Sequence, residues 1–107
     1  MAKTRGTGLL MVWADIDPQF ETEYHRWYDE EHIAHLLAVP GFLSAGHYVA
    51  LKGGPKYLAL YEFATASVSE SEPWAKARDG NPWSNRIRPF MRHDVGSPGV
   101  YRRLDPK

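Results

Sequence analysis

The chain has 107 residues, with 13 lysines and arginines balanced by 13 aspartates and glutamates, so its formal net charge is zero. A neutral chain gives no electrostatic reason to expect a nucleic acid or a membrane as partner, and the absence of cysteine excludes disulfides, thiolate metal sites and a cysteine nucleophile. The length predicts one domain over residues 1–107, and the apolar run near the N-terminus is too short for a signal peptide or a membrane span, which favours a cytoplasmic protein.

The first predicted element is a strand over residues 7–16. Its alternating residues form two faces, one with Leu9, Met11, Trp13 and Asp15 and the other with Leu10, Val12, Ala14 and Ile16. Both faces are mostly apolar, so we expect the strand to be covered on both sides.

A helix of about twenty residues is predicted to follow. Asp17 suits the N-cap position, Pro18 suits the first helical position, and Pro40-Gly41 is a stop signal. Turning about 100° per residue gives one largely aromatic face, with His32 at its edge. The residues on this face are Phe20, Tyr24, Trp27, Tyr28, Glu31 and His35.

Glu31 is a carboxylate near the centre of this face. Burying a charged carboxylate costs roughly several kcal/mol unless it is paired, hydrogen-bonded or protonated. We therefore expect Glu31 either to have a partner, with His35 and His32 nearest, or to border a wet cavity. An ordinary salt bridge at the rim of the face explains the pattern equally well.

The rest of the chain predicts a hairpin, two helical stretches and a last strand. The strands are expected over residues 42–51, 56–63 and 91–104, the last interrupted at 96–99, and the helices over residues 67–78 and 83–90. This order, with right-handed crossovers, predicts an α+β, ferredoxin-like β-α-β-β-α-β sandwich with its helices on one sheet face. Because the other face also reads as apolar, we expect it to pack against a second copy in a homodimer.

Four short motifs lie within residues 8–64: Trp27-Tyr28-Asp29-Glu30-Glu31-His32-Ile33, Val39-Pro40-Gly41-Phe42, His47-Tyr48 and Tyr57-Leu58-Ala59-Leu60-Tyr61-Glu62. Together they resemble the EthD-like branch of the dimeric α+β barrel superfamily. The resemblance implies the same fold and dimer, with a pocket between the helices and the sheet. Many relatives have proline after the His-Ile pair, whereas this chain has Ala34, so its helix is expected to continue without a kink.

His32 is the first candidate for proton transfer, because histidine titrates near neutrality and its flank of the helix is expected to border the pocket. Glu31 or Asp15 would orient it. The structural alternative is a histidine that only caps the packing of the helix on the sheet. The residues expected to bind substrate are Trp13, Trp27, Tyr28, His35, His47, Tyr61 and Trp83.

Other chemistry has little support in the sequence. The spacing of Glu31, His32 and His35 places two metal ligands on one helix face at most, with no third ligand in a matching pattern, so no metal and no cofactor are predicted. His25 and His93 are expected at the surface. The arginines Arg86, Arg88 and Arg92 could hold a carboxylate or phenolate, although a solvated face is favoured.

These observations predict a lyase, isomerase or cyclase that needs no cofactor and acts on a small aromatic or polyketide-like compound. The superfamily also contains cofactor-free monooxygenases and haem-degrading enzymes, so the fold alone says little about the reaction. A dimer that only binds a small hydrophobic ligand, a partner subunit and a cofactor-free monooxygenase remain alternatives.

Overall fold

The computed structural model describes residues 6–79, 82–93 and 97–104. Within these residues the strands form one antiparallel sheet in the order β2-β3-β1, with β4 and β5 both paired to the remaining edge of β1. The strands are β1 (Gly8–Ile16), β2 (Phe42–Val49), β3 (Tyr57–Phe63), β4 (Met91–His93) and β5 (Gly99–Arg102).

The helical elements cover one face of this sheet. Phe42 and Phe63 pack against Trp74, with ring centroids 6.1 and 5.1 Å away, and Tyr57 packs against Tyr24 at 5.3 Å. The elements are α1 (Glu21–Trp27), α2 (Ile33–Leu37), α3 (Glu72–Asp79) and α4 (Pro82–Ile87), with 3-10 turns at Pro18–Phe20, Ala66–Glu70 and Arg88–Phe90. The predicted ferredoxin-like α+β fold is confirmed.

The last strand is divided, as its sequence predicts. β4 pairs with β1 from Ala14 to Ile16 and β5 pairs with it from Gly8 to Met11. Residues 94–96, of which only Gly96 belongs to the expected interruption, lie outside the described residues. In the gap the Ser97 hydroxyl accepts a hydrogen bond from the Trp13 amide (2.9 Å) and donates one to the Trp13 carbonyl (3.0 Å). The side chain thereby satisfies backbone groups that a continuous strand would have paired.

The first helical segment begins where the sequence predicts, since the Asp17 carboxylate accepts a hydrogen bond from the Gln19 amide at 3.1 Å. It is not one continuous α-helix. Between α1 and α2 lies a π-helical turn, Tyr28–His32, in which the Ile33 amide donates to the carbonyl of Tyr28, five residues earlier. The helical segment does continue through Ala34, as expected, but this turn interrupts its α-helical hydrogen-bond pattern.

The π-helical turn changes which residues face the sheet. Its extra residue per turn brings Tyr24, Tyr28, His32 and Leu36, spaced four apart, to the buried side. Glu31 is only half-buried and His35 is exposed. The predicted apolar face is thus correct up to Tyr28 and wrong beyond it, because the prediction applied α-helical rotation throughout.

The second face of the sheet carries no helix among the described residues. It presents partly or well exposed apolar side chains from the central and edge strands: Leu9, Met11, Trp13, Tyr48, Leu58, Leu60 and Tyr101. We call this set the outer sheet face. No helix in the described part of the chain has the length and apolar composition needed to cross a membrane.

Candidate functional site

A cavity of about 560 Å³ lies between the sheet and the helices, where the resemblance implies a pocket. Its size is within the range of ordinary small-molecule sites, roughly 300–1,000 Å³. β1 and β3 line it with Leu10, Val12, Ala14, Ala59 and Tyr61, and the first helical segment lines it with Tyr24, Trp27, Tyr28 and His32. The remaining wall is formed by Ser69, Glu70, Trp74, Arg78, Arg88, Met91, Pro98 and Val100.

His32 is buried in the wall of this cavity and is held by stacking. Its ring lies 4.3 Å from the Trp27 ring, centroid to centroid, with the planes 24° apart. The Trp27 indole nitrogen donates to the buried Ser84 hydroxyl at 3.0 Å, which ties this pair to α4. The Nδ1 atom of His32 has no hydrogen-bond partner among the described residues.

The environment of His32 favours the neutral imidazole. Burial lowers its pKa from 6.5 to about 3, because an imidazolium in the cavity wall would lose most of its hydration. The positive charge of Arg88, with smaller contributions from His35 and His47, lowers the pKa in the same direction. At neutral pH the ring therefore has one N–H donor and one acceptor nitrogen.

Three tyrosines give the cavity neutral hydroxyl groups. Burial raises the pKa of Tyr28 to about 12 and raises those of Tyr24 and Tyr61 as well, so all three remain protonated near neutrality. The Tyr28 hydroxyl is buried without a hydrogen bond of normal geometry among the described residues. The Tyr61 hydroxyl lowers the pKa of Tyr28 against the effect of burial, although no hydrogen bond of normal geometry joins the two hydroxyls.

His47 supports the tyrosine wall from behind. Its ring stacks on Tyr28 with centroids 3.9 Å apart, and its Nε2 atom is hydrogen-bonded to the Tyr24 hydroxyl at 2.7 Å. Burial lowers its pKa to about 4. His47 on β2 thus faces the helices, as the strand alternation predicts, and positions two cavity residues without lining the cavity itself.

Two arginines form the polar rim of the cavity. Arg78 donates to both carboxylate oxygens of Asp79, at 2.9 and 2.8 Å, and Arg88 donates to the same carboxylate at 3.2 Å and to the Arg78 carbonyl. Both guanidinium groups hold the pKa of Asp79 down to about 2. Arg88 was grouped by sequence with a solvated face, yet it lines the cavity, whereas Arg86 and Arg92 are exposed and do not.

The residues expected to orient His32 lie elsewhere. Asp15 is on the opposite face of β1 from the cavity-lining Ala14, and its carboxylate accepts from the Lys56 amide at 2.9 Å. Glu31 does not line the cavity, and its Oε1 atom is buried with no partner among the described residues. Neither carboxylate hydrogen-bonds to His32, so neither fixes its tautomer in this structure.

The structure brings together only part of the expected substrate-binding set. Trp27, Tyr28 and Tyr61 line the cavity with His32, and His47 contacts them from behind. Three expected residues lie outside it: Trp13 on the outer sheet face, His35 on the exposed side of α2, and Trp83, whose indole nitrogen donates to Glu23 at 3.1 Å. Strand alternation places Trp13 on the face of β1 opposite the cavity. The π-helical turn places His35 on the exposed side of the helical segment.

His25 is half-buried rather than fully exposed at the surface. Its Nε2 atom lies 3.0 Å from the Tyr57 hydroxyl, which donates to the carboxylate of Glu21. Lys56 pairs with the same carboxylate, so a short polar network joins α1 to the β2–β3 hairpin. The side chain of His93, also expected at the surface, lies outside the described part of the structure.

Sequence reasoning missed several cavity residues. Tyr24 was available on the predicted aromatic face, and Trp74 lies one turn into a helix that the sequence does predict. Ser69, Glu70 and Arg78 gave no signal, because their approach to the cavity depends on tertiary packing. Within residues 6–79, 82–93 and 97–104, no three histidine or acidic side chains form a group that could hold a metal ion.

No protein-family model and no curated protein matches this chain. Its structure is similar to MupZ from Pseudomonas fluorescens, with a TM-score of 0.63 at 12% identity over 87% of this chain and 66% of that chain. MhuD from Mycobacterium tuberculosis, a heme-degrader with two hemes bound in its active site, has a TM-score of 0.63 at 17% identity over 94% and 99% of the two chains. SnoaB from Streptomyces nogalater, a cofactor-independent oxygenase, has a TM-score of 0.55 at 12% identity over 95% and 100%.

These identities are low enough that the similarity concerns the fold and not the reaction. This chain also spans just under two thirds of the length of MupZ. The EthD-like branch is not singled out by any of these structures. What they show is the fold, a ferredoxin-like α+β sandwich.

Proposed function

We propose that the cavity binds a small aromatic or polyketide-like compound and that His32 moves a proton on it, in a lyase, isomerase or cyclase reaction without a cofactor. The observation that carries this proposal is that two lining residues, His32 and Tyr28, each have a buried polar atom with no partner among the described residues. An unsatisfied buried polar atom costs about 1–3 kcal/mol. A ligand that supplies hydrogen-bonding groups would offset that cost.

The neutral imidazole of His32 suits this role once a ligand is present. Its acceptor nitrogen can take a proton from an enolisable or phenolic ligand and later return it. The negative charge left on the ligand would raise the pKa of His32, since an adjacent anion stabilises an imidazolium. Trp27, held by Ser84, fixes the plane of the ring, whereas the sequence predicts that Glu31 or Asp15 orients it.

Two other uses of the same cavity remain. A binding protein would use the same apolar walls and the unpaired Tyr28 hydroxyl without moving a proton. A cofactor-free monooxygenase is favoured by the fold shared with SnoaB, which is a cofactor-independent oxygenase. Product analysis and oxygen uptake distinguish these uses from a lyase or isomerase.

Anthrone, a tricyclic ketone with acidic methylene hydrogens, provides a direct test. In D₂O the protein should accelerate deuterium exchange at that methylene, and His32→Ala should lower the rate by about 10²–10⁴-fold, the usual contribution of general acid–base catalysis. His35→Ala is the matched control, because His35 is exposed on the same helical segment. Circular dichroism establishes that both variants fold.

Each result identifies one function. Binding of anthrone without exchange would support a binding protein, and oxygen uptake would support a monooxygenase. Equal exchange rates for the native protein and His32→Ala would remove His32 from the mechanism. Haemin is added as a separate arm, since a Soret shift that depends on His32 would indicate haem binding instead.

We also propose that the protein is a homodimer that packs through the outer sheet face and belongs to the EthD-like branch. The dimer is supported by the row of apolar side chains on that face, among them Leu9, Leu58 and Leu60. The branch is supported by the motif from Trp27 to Ile33, which supplies three of the cavity residues. The cytoplasmic location stays a prediction of the sequence.

A further inference from the structure

We infer that the cavity takes its ligand as an oxyanion, a phenolate, enolate or carboxylate that pairs with Arg88 at the rim. This inference rests on the proposed small-molecule function and specifies its substrate class. It would make Arg88 a specificity-determining residue, and it does not depend on whether His32 transfers a proton.

Arg88 is held in place with hydrogen-bond donors to spare. Of the five N–H groups of a guanidinium, one binds the Asp79 carboxylate and one binds the Arg78 carbonyl. These are the two hydrogen bonds that the guanidinium makes among the described residues, which leaves N–H groups for a ligand. These two anchors restrict the side chain at the cavity rim, so less rotamer entropy is lost when a ligand binds.

At the rim two guanidinium groups, those of Arg78 and Arg88, share one carboxylate, that of Asp79. Glu70 also lines the cavity, but it is exposed and forms no ion pair with either arginine in the described part of the chain. An anionic ligand would complete this arrangement, and a guanidinium is well suited to bind a carboxylate or phenolate oxygen.

Away from the rim, the titratable side chains that the described residues place in the cavity wall are neutral. His32 is neutral at physiological pH, and Tyr24, Tyr28 and Tyr61 keep their protons. The positive charge of Arg88, which disfavours an imidazolium at His32, also lowers the pKa of Tyr61 against the effect of burial. It would lower the pKa of a ligand hydroxyl in the same way. A ligand hydroxyl near Arg88 would release its proton to water and bind as the anion, with neutral hydroxyls beside it as donors.

The test uses two tricyclic probes of similar shape. Alizarin, a hydroxyanthraquinone whose colour reports ionisation, can become a phenolate, and anthraquinone cannot. Binding of alizarin to the native protein should lower its pKa by about one to three units, as expected for an acid beside an opposite charge. Arg88→Gln should abolish this pKa shift while leaving the affinity for anthraquinone within about twofold. The control is Arg86→Gln, which alters an exposed arginine paired with Glu23 and should behave like the native protein.

Arg88→Lys provides a second variant that keeps the charge and should retain part of the shift. The inference is overturned if alizarin binds with an unchanged pKa, or if Arg88→Gln and the native protein shift it equally. If neither probe binds, the proposed small-molecule function fails and this inference fails with it. If anthraquinone binds and only the pKa shift is missing, the proposed function stands alone.

Discussion

Trp27 stacks on His32 with ring centroids 4.3 Å apart, although five positions separate the two residues in the chain. In a regular α-helix, side chains five residues apart point about 140° away from each other. The π-helical turn between them brings both rings to the same side, because its hydrogen bond spans five residues instead of four. This turn is the local feature that puts an imidazole in the cavity wall.

Stability should fall in mild acid because of His32. Its pKa is 6.5 in the unfolded chain and about 3 in the folded protein. Between these values the unfolded state binds more protons, so the free energy of unfolding decreases as the pH falls below 6.5, by up to about 1.4 kcal/mol per pH unit for this group. Above pH 6.5 neither state is protonated and His32 adds no slope.

Urea unfolding of the native protein and of His32→Gln at pH 7, 6, 5 and 4 measures this effect. His47, whose pKa is also lowered, contributes in the same direction to both proteins, so the difference between the two curves isolates His32. The variant should lose less stability on acidification. Parallel curves would mean that His32 titrates in the folded protein as it does in the unfolded chain.

Tyr28→Phe should stabilise the protein and weaken ligand binding at the same time. The hydroxyl is buried without a partner among the described residues, so its removal relieves an unsatisfied group, worth about 1 kcal/mol. The ring and its stacking on His47 remain. Chemical denaturation and binding of alizarin measure the two effects.

The matched control is Tyr24→Phe. That hydroxyl is hydrogen-bonded to His47 at 2.7 Å, so its loss should destabilise the protein by about 1 kcal/mol. Opposite signs for the two variants are the expected pattern. If Tyr28→Phe is as destabilising as Tyr24→Phe, the Tyr28 hydroxyl has a partner such as bound water, and its assignment as a free donor is incorrect.

The strand order could be predicted from sequence because each strand shows two-residue alternation and is bounded by turn residues, such as Gly53-Gly54-Pro55 in the hairpin.

The faces of the first helical segment could be predicted only as far as Tyr28. No residue type marks the π-helical turn in advance, so the predicted face continues to Glu31 and His35, whereas the buried side continues to His32 and Leu36.

The position of Arg88 at the cavity rim could not be predicted from the sequence either. Arg88 lies between Arg86 and Arg92 in a stretch that reads as a solvated basic surface. Its place at the cavity comes from hydrogen bonds to Asp79 and to the Arg78 carbonyl, nine and ten residues away. Contacts of that kind depend on how α3 and α4 pack, and neither helix carries a local pattern that specifies it.

Self-association through the outer sheet face is the last prediction. Leu9, Leu58 and Leu60 lie on a face that no helix covers among the described residues, and exposed apolar patches of this kind mark interfaces. Sedimentation equilibrium at micromolar concentration should give twice the chain mass of 12.2 kDa. Leu60→Asp should shift the protein to the monomer, since a second copy would place two carboxylates in one apolar interface.

Leu37→Asp is the control for this experiment, because Leu37 is exposed on the helical side of the molecule. It adds the same charge without touching the outer sheet face and should leave the dimer intact. A native protein that sediments as a monomer would contradict the prediction outright. Loss of the dimer in Leu37→Asp but not in Leu60→Asp would move the interface to the helical side.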